Sequence, residues 1–581
     1  MSSDSTWFGD SELGERFPAW TRGNAADVFP DPFSPLGQSL VMRQGMCTGL
    51  RDAYIAIGAL DFDEFENPAL PDLFKVFGGY PYNPLTMTRV FGARMPGASP
   101  ELIDQAFFDD RDEVPPYEHQ AWHDSAEHEA KLGASVAWAM STDSLPALDA
   151  DKQLARDLRD QRPDLGQLTD SALCARARSM APYIQQTFEN AMIVSTMSAL
   201  GTGALGAISE GLGDPTLVIR LLAGIEVDSA APSHAMWQLG RSAAASPEVN
   251  AAFDRAGPDG VITALRSSSS ADAIKFVDDF DRFLRDHGSR GQNEYDPRAP
   301  SWEVKPRIAL AAIDLMRRTD PSQAPAVRNT SSVGERDRIA AEIRAKIAGD
   351  AETAGLFEAA LQSAQLFLAG RERAKTNVVR VINEARVALY EYGRRLVERG
   401  VITDVEQVFM VTDDELDALR ADPASWKDVI AQRWAQYKQL FDYEPVFVVN
   451  GRVPSLDEMT RRDGKQVAKA VAGTVLTGAA GAGGTASGRA RIVLDASDPG
   501  ELEPGDVLIA PQTDPSWVPL MVPSAAVVVN VGAQGSHAMI VSRELGVPCV
   551  VSVAGATDVI PDGAIVTVDG TAGTVTIMEV P

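Results

Sequence analysis

A glycine turn set between a buried strand and a short helix constrains this chain more than any other stretch. It reads Gly532-Ala533-Gln534-Gly535-Ser536-His537-Ala538-Met539-Ile540-Val541-Ser542-Arg543-Glu544-Leu545-Gly546-Val547-Pro548. The run before it, Ala525-Ala526-Val527-Val528-Val529, has the β-branched character of a buried strand. Gly532 and Gly535 permit a tight turn. Ser536 is an N-cap residue type, and the run to Leu545 predicts a short helix stopped by Gly546 and Pro548. His537 then stands at the mouth of a helix, among free N–H groups and the positive end of the dipole. Neutral imidazole is a nucleophile near pH 7. A phosphoryl group on it would find donors in the turn, for which Gly535 and Ser536 are the candidates. By the residues alone, a phosphocarrier histidine and a plain helix-capping histidine both fit.

Short β-branched runs surround this turn, separated by Gly, Pro and Asp: Ala490–Val493, Asp506–Ala510, Ala525–Asn530, Pro548–Val553, Ala564–Asp569 and Thr574–Met578. They predict a small α/β domain over 485–581. Residues 466–484 are rich in Ala and Gly and predict a hinge. The pattern from about Ser99 to Lys438 is mainly helical, with breaks at Ser267–Ser270 and Asp320–Ser332. The fold class expected is therefore multidomain: a large, mainly α-helical region, 1–465, followed by a small α/β (β/β/α) domain.

The segment from about Thr485 to Glu579 resembles the swivelling phosphohistidine domain of the phosphoenolpyruvate-utilising enzymes. That family's turn is Gly-Gly-x-x-Ser-His, followed by an apolar pair, Ala-Arg-Glu and Gly-Ile-Pro. Here the counterparts are Gly532-Ala533, Ser536-His537, Ile540-Val541, Ser542-Arg543-Glu544 and Gly546-Val547-Pro548. Upstream, Gly505-Asp506-Val507-Leu508 and Thr513-Asp514-Pro515 also match. Ala533 in place of the second Gly bears on the fine geometry of the turn. The resemblance implies that His537 carries a phosphoryl group.

Charge narrows the partners. Lys and Arg number 53 and Asp and Glu 81, a net charge of −28. Such a surface repels phosphate backbones and anionic lipid, which argues against nucleic-acid and membrane partners. Three scattered cysteines, Cys47, Cys174 and Cys549, suit a reducing cytosol and a cytoplasmic location. The first residues lack a basic and apolar leader pattern. The apolar stretch Ala191 to Leu212 reads as a buried helix pair, and the Pro- and aromatic-rich residues 17–40 as an ordered wrap over a core. His119 and His123 are spaced as half a metal site, yet a solvated helix face also explains them. Neither Cys nor a further His completes the set, so no metal site is expected.

Two stretches in the helical region carry candidate chemistry. Around Arg290, a helix closes at Gly288 and a loop presents Arg290, Glu294 and Asp296. Similar Arg-Gly-x-x-Glu-x-Asp loops occur in the acceptor domain of the rifampin phosphotransferase family, usually opening Tyr-Gly-His-Arg-Gly. This chain has His287 and Ser289 in the Tyr and His places. The strongest helical segment is Glu352 to Arg399, in which residues 371–399 hold eight basic and four acidic side chains, a local +4. Arg371 and Lys375 are four apart on one helix face, and Arg386 lies eleven beyond Lys375 on nearly the same face. A row of cations can clamp a transferring phosphoryl group, and a solvated helix with internal ion pairs has the same pattern. The Arg-Glu-x-x-Lys spacing looks like the catalytic motif of the same family. The resemblance therefore implies that Arg371 and Lys375 stabilise charge, that Glu372 positions or deprotonates the acceptor, and that Arg290, Glu294 and Arg386 contact phosphate or acceptor.

No Gly-x-x-x-x-Gly-Lys-Ser/Thr precedes residue 350, and the chain stops soon after Asp569-Gly570-Thr571-Ala572-Gly573. The layout resembles rifampin phosphotransferase without its ATP domain, as in the histidine-bearing subunit of phenylphosphate and alkylphenol phosphate synthases. It implies a separate ATP-grasp subunit, Mg²⁺ held with ATP on that partner, no intrinsic cofactor, and a small hydroxylated acceptor such as a phenol. An antibiotic-inactivating phosphotransferase subunit and a non-catalytic phosphocarrier are the alternatives.

Overall fold

The computed structural model describes residues 7–581 apart from 109–110, 112, 215, 223, 226–227, 229–230, 322–323, 463–466, 497 and 533–535. The chain forms two compact units. One holds Met1–Gly201, Tyr295–Ala299 and Gln362–Gln466; the other holds Thr202–Glu294, Pro300–Leu361 and Val467–Pro581. Residues 202–294 and 300–361 group with the C-terminal strands, and one unit boundary falls between Gln466 and Val467.

In the first unit, strands β1 (Ala19–Thr21), β2 (Lys75–Phe77), β3 (Tyr80–Pro84) and β5 (Val448–Asn450) form a sheet in the order β2-β3-β1-β5. A small ribbon pairs β4 (Tyr443–Glu444) with β6 (Thr460–Arg461). The long helix Ala351–Glu398, which belongs to this unit from Gln362 on, has Glu352 in its first turn and Arg395 in its last, charges that suit the helix dipole. Its Phe367, Val378, Tyr392 and Leu396 share a core with Trp20, Phe77 and Tyr82. Buried Glu384 receives Arg162 at 2.5 Å and Arg176 at 2.7 Å, tying the long helix to the loop after Pro146–Asp160 and to Asp170–Arg178. The aromatics of the 17–40 wrap, Phe17, Trp20, Phe29 and Phe33, are buried as expected.

Val405–Met410 is a 3₁₀ turn whose first N–H groups are satisfied by Asp404, with Glu406 N donating at 2.9 Å. One local expectation changes. The Ala191–Leu212 stretch is one continuous helix, Ala181–Gly211, rather than a pair. Gly203 and Gly206 leave it unbroken, since a glycine costs a helix only about 1 kcal/mol relative to alanine. Among the described residues, Asp170–Gly211 is long and apolar enough to cross a membrane by length and composition, and a third of its apolar window is buried.

The second unit is built on β7 (Val475–Thr477), β8 (Ala479–Ala482), β9 (Thr485–Ile492), β10 (Val507–Ala510), β11 (Ala526–Val529), β12 (Cys549–Val551), β13 (Ile565–Asp569) and β14 (Thr574–Glu579). They make one sheet in the order β7-β14-β13-β9-β10-β11-β12-β8. The central pairs β9-β10, β10-β11 and β11-β12 are parallel. All six expected strand runs are present. The Ala/Gly stretch is not a free linker: it supplies the two edge strands β7 and β8. A Cβ on Gly481 would lie 2.8 Å from the Cys549 carbonyl oxygen and one on Gly478 2.4 Å from that of Val551. The small residues are what let β8 lie so close to β12.

Both faces of this sheet are covered, which explains its unbroken β-branched runs. Alternate residues divide between two cores, as the pleat requires. Val507, Ile509, Val528 and Val550 point one way, with Val566 and Val568. Leu508, Val527, Val529 and Val551 point the other way. There they share a core with Met236, Phe253, Phe280, Ile313 and Met316 of the helices Ala231–Ala245, Pro247–Arg266, Ala271–His287 and Arg307–Arg318. This shared core is why the helices group with the strands.

Candidate functional site

The turn after β11 delivers His537 as the first residue of the helix His537–Leu545, which ends at Gly546 in the left-handed conformation with φ 61°. The expected strand and helix are both there, and residues 533–535 of the turn lie outside the described residues. Ser536 occupies the N-cap position, but its side chain makes no capping hydrogen bond. Its buried Oγ has no hydrogen-bond partner among the described residues. Gly535 lies outside the described residues. The imidazole is held from the neighbouring turn: Thr513 Oγ1 lies 3.1 Å from His537 Nδ1.

Asp514, next to that threonine, fixes the turn. Its carboxylate accepts the Ser516 N–H at 2.8 Å and the Ser516 hydroxyl at 2.5 Å. It also accepts the backbone N–H of Asn293 at 3.3 Å. Asn293 has φ 51°, a conformation that Asn tolerates better than most residues. The Thr513–Ser516 turn beside His537 and the 288–294 loop therefore meet within the second unit. The loop is cinched at its base: Trp302 N donates to the Arg290 carbonyl and Glu303 N to that of Gly288, both at 2.8 Å. Gly291 is needed there, since a Cβ would lie 2.5 Å from the Pro300 carbonyl oxygen. Arg290 and Glu294 are each 2 % exposed and pair with each other at 3.1 Å. The sequence places them on the loop; their closure into a buried pair is a tertiary effect. His287, in the family's Tyr place, packs against Phe283 with ring centroids 5.5 Å apart.

Beyond Glu294 the loop enters the first unit. The Asp296 carboxylate accepts the Ser34 N–H at 2.9 Å, the Ser34 hydroxyl at 2.6 Å and the Arg298 N–H at 3.0 Å. Its carbonyl accepts Arg386 Nη2 at 3.2 Å, and Arg386 Nη1 donates to Asn383 Oδ1 at 2.9 Å. Arg386 is 0 % exposed. It braces the loop instead of presenting a charge to phosphate, and the row of accessible cations reduces to Arg371 and Lys375, both half-buried. Lys375 Nζ sits 5.7 Å from the centre of the Tyr295 ring. Tyr295 packs on Phe29 and Phe188, with ring centroids 5.7 Å and 6.4 Å away. Glu372, one step round the helix, is 6 % exposed, and its Oε2 has no hydrogen-bond partner among the described residues.

Sequence pattern gave no sign of Asp27. It is half-buried on the short helix Ala25–Val28, next to the wrap residue Phe29. Burial raises its carboxyl above the usual range, while the fields of Arg371, Arg22 and Lys375 oppose the rise. Only the fold joins it to the helix that carries those two cations.

The histidine cluster is engaged elsewhere. His119 Nε2 meets Asp124 at 2.8 Å, His123 Nδ1 meets the Tyr117 hydroxyl at 2.7 Å, and His128 Nδ1 meets Ser125 at 2.7 Å. Ligand atoms of Asp61, Glu64 and His128 lie within 4.8 Å of one another. Arg94 already grips Glu64 at 2.7 and 2.9 Å, and Lys131 holds Asp61 at 3.1 Å, so cations of the protein fill that corner.

Residues 188–372 match the family described as the rifampicin phosphotransferase fourth domain, and residues 502–573 match the PEP-utilising enzyme mobile domain. An uncharacterized protein of Mycobacterium tuberculosis is 27 % identical over 98 % of this chain and 62 % of its own length. The uncharacterized phosphotransferase YvkC of Bacillus subtilis is 25 % identical over 72 % of this chain and 50 % of itself. A rifampicin phosphotransferase of Streptomyces sviceus is 30 % identical over 52 % of this chain and 34 % of itself. The chain thus spans between about a third and three fifths of these relatives' length.

Proposed function

We infer the function of this chain from the family it belongs to, the phosphoenolpyruvate-utilising enzymes, within which it resembles rifampicin phosphotransferase. The reading is a phosphotransferase that carries a phosphoryl group on His537 and passes it to a hydroxyl acceptor. The observation that carries it is the contact of Thr513 Oγ1 with His537 Nδ1 at 3.1 Å, at the first turn of a helix. A proton on Nδ1, donated to the threonine oxygen, leaves the lone pair on Nε2 as the nucleophile. The helix N-terminus then favours the phosphoryl charge. In this reading phosphate comes from ATP through a separate ATP-grasp subunit, which holds Mg²⁺ with the nucleotide and releases AMP and phosphate.

Movement of the histidine-bearing body then brings the phosphohistidine to the acceptor face. Arg371 and Lys375 stabilise the charge that spreads over the phosphoryl oxygens during transfer. Glu372, next to Arg371 and 6 % exposed, positions the acceptor in this reading. The aromatic floor of Phe29, Phe188 and Tyr295 beside Lys375 supports a phenol or alkylphenol as acceptor, since such a molecule needs an apolar seat and one phosphate clamp. A second reading, a hydroxylated antibiotic as acceptor, is favoured by the rifampicin phosphotransferases among the relatives.

The test is His537→Ala. With ATP, Mg²⁺ and an ATP-grasp partner, the wild type gains an acid-labile phosphate by intact-mass spectrometry and the variant gains none. Turnover by the alanine variant sinks the assignment. A panel of phenols, rifampicin and pyruvate then identifies the acceptor class, and formation of phosphoenolpyruvate rules out the hydroxyl-acceptor reading.

A further inference from the structure

We propose that Asp27 is the general base that takes the proton from the acceptor hydroxyl as phosphate leaves His537; this rests on the phosphotransferase reading above. Three structural observations lead there. First, transfer to a neutral hydroxyl needs a carboxylate that substrate can reach, beside the cations that hold the phosphoryl group. Glu372 is nearly fully buried, whereas Asp27 is half-buried and feels both Arg371 and Lys375. Second, Asp27 rides on a fixed strap. Arg22 donates to the Phe29 carbonyl at 2.8 Å and the Pro81 carbonyl at 2.5 Å, and Asn83 donates to that of Gly23 at 3.1 Å. Third, the strap's Phe29 packs on Tyr295, the ring under Lys375, and also against Phe33 and Phe74 at 5.7 and 5.6 Å. The strap and the cationic helix face thus share one aromatic floor.

The step balances as follows. The acceptor oxygen forms a P–O bond while the P–N bond to Nε2 breaks. The electron pair of that bond returns to the imidazole, which leaves neutral with its proton on Nδ1. The hydroxyl proton goes to the Asp27 carboxylate. The charged groups that act on Asp27 are Arg22 on its own strap and Arg371 and Lys375 on the long helix. Burial, the largest effect, raises its pKa against the fields of Arg371, Arg22 and Lys375, and the raised pKa makes it a stronger base than a solvated carboxylate.

The experiment charges His537 of the full chain with phosphoramidate, a small donor that needs no partner protein. Phenol, 4-methylphenol or rifampicin is then added and the phosphorylated product followed from pH 5.5 to 9. Asp27→Asn should charge at the wild-type rate and transfer about 10²–10⁴-fold more slowly. It should also lose the acid limb of the wild-type profile, and Asp27→Glu should restore part of the rate and the limb. Circular dichroism checks that both variants fold. Transfer by Asp27→Asn within about threefold of wild type, or a slow variant that keeps the acid limb, overturns the assignment. A wild type that charges but passes phosphate only to water overturns it together with the acceptor reading. A wild type that cannot be charged overturns the phosphocarrier reading itself.

Discussion

Thr513→Val is the sharpest probe of the phosphohistidine turn. Valine keeps the shape of this mostly buried residue and removes the one oxygen that lies 3.1 Å from His537 Nδ1. A neutral hydrogen bond contributes about 0.5–1.5 kcal/mol, so losing it shifts the tautomer balance away from an Nε2 lone pair by about two- to tenfold. In the phosphorylated state the ring is cationic, and a bond to a charged donor contributes about 1.5–3 kcal/mol. Charging of His537 should therefore slow about two- to tenfold, and the phosphohistidine should be destabilised by about ten- to a hundredfold. Rapid-quench intact-mass spectrometry gives the charging rate. Phosphorus–nitrogen couplings in the ¹⁵N-labelled protein give the site, with Nε2 expected for the wild type and part of the phosphate on Nδ1 in the variant. Phosphate on Nδ1 of the wild type, or charging of Thr513→Val at the full rate, would refute the reasoning.

Other perturbations separate transfer from folding. Arg371→Ala and Lys375→Ala should leave charging intact and slow transfer about 10²–10³-fold, read in the same single-turnover assay; equal loss in both half-reactions would assign this helix to folding or to the ATP partner. Arg386→Met should cost about 1–3 kcal/mol in chemical denaturation, because the Asn383 amide and the Asp296 carbonyl lose a buried donor. Asp10 gives a pH-dependent stability. Burial raises it from 3.8 to about 6, so the folded state holds the proton more tightly, and ionisation above that pH costs up to about 3 kcal/mol. Asp10→Asn should therefore be more stable than wild type at pH 8, with the gap shrinking as pH falls through 6 and gone below pH 4 in urea titrations. Gly570→Ala, whose Cβ would lie 1.9 Å from the Ala482 carbonyl oxygen, should destabilise by about 1–3 kcal/mol in the same assay.

The six strands and the His537 helix were legible because they rest on local rules: β-branched runs, an N-cap residue type and a helix stop. The long helix was legible for the same reason, since its period and charges are local. Side-chain roles set by the fold were not. Arg386 shares a helical face with Lys375 in sequence, yet burial and the Asp296 carbonyl remove it from the phosphate clamp. Asp27 is a plain acid in a Pro-rich stretch until the strap brings it to Arg371. The Ala/Gly run looked like a linker because composition reports flexibility in isolation, whereas here missing side chains serve close strand approach against Cys549 and Val551.

The core shared by sheet and helices has a mechanical consequence. His537 hangs on a body whose strands interlock with four helices through Met236, Ile313, Leu508 and Val527. In the proposed reading, a phosphoryl group on His537 cannot travel on the last hundred residues by themselves without exposing that apolar face to water, so the helices of this unit would move with the strands. Cutting at residue 485 would likewise strip two edge strands and uncover the face, so a dissected histidine module should include 202–294 and 300–361.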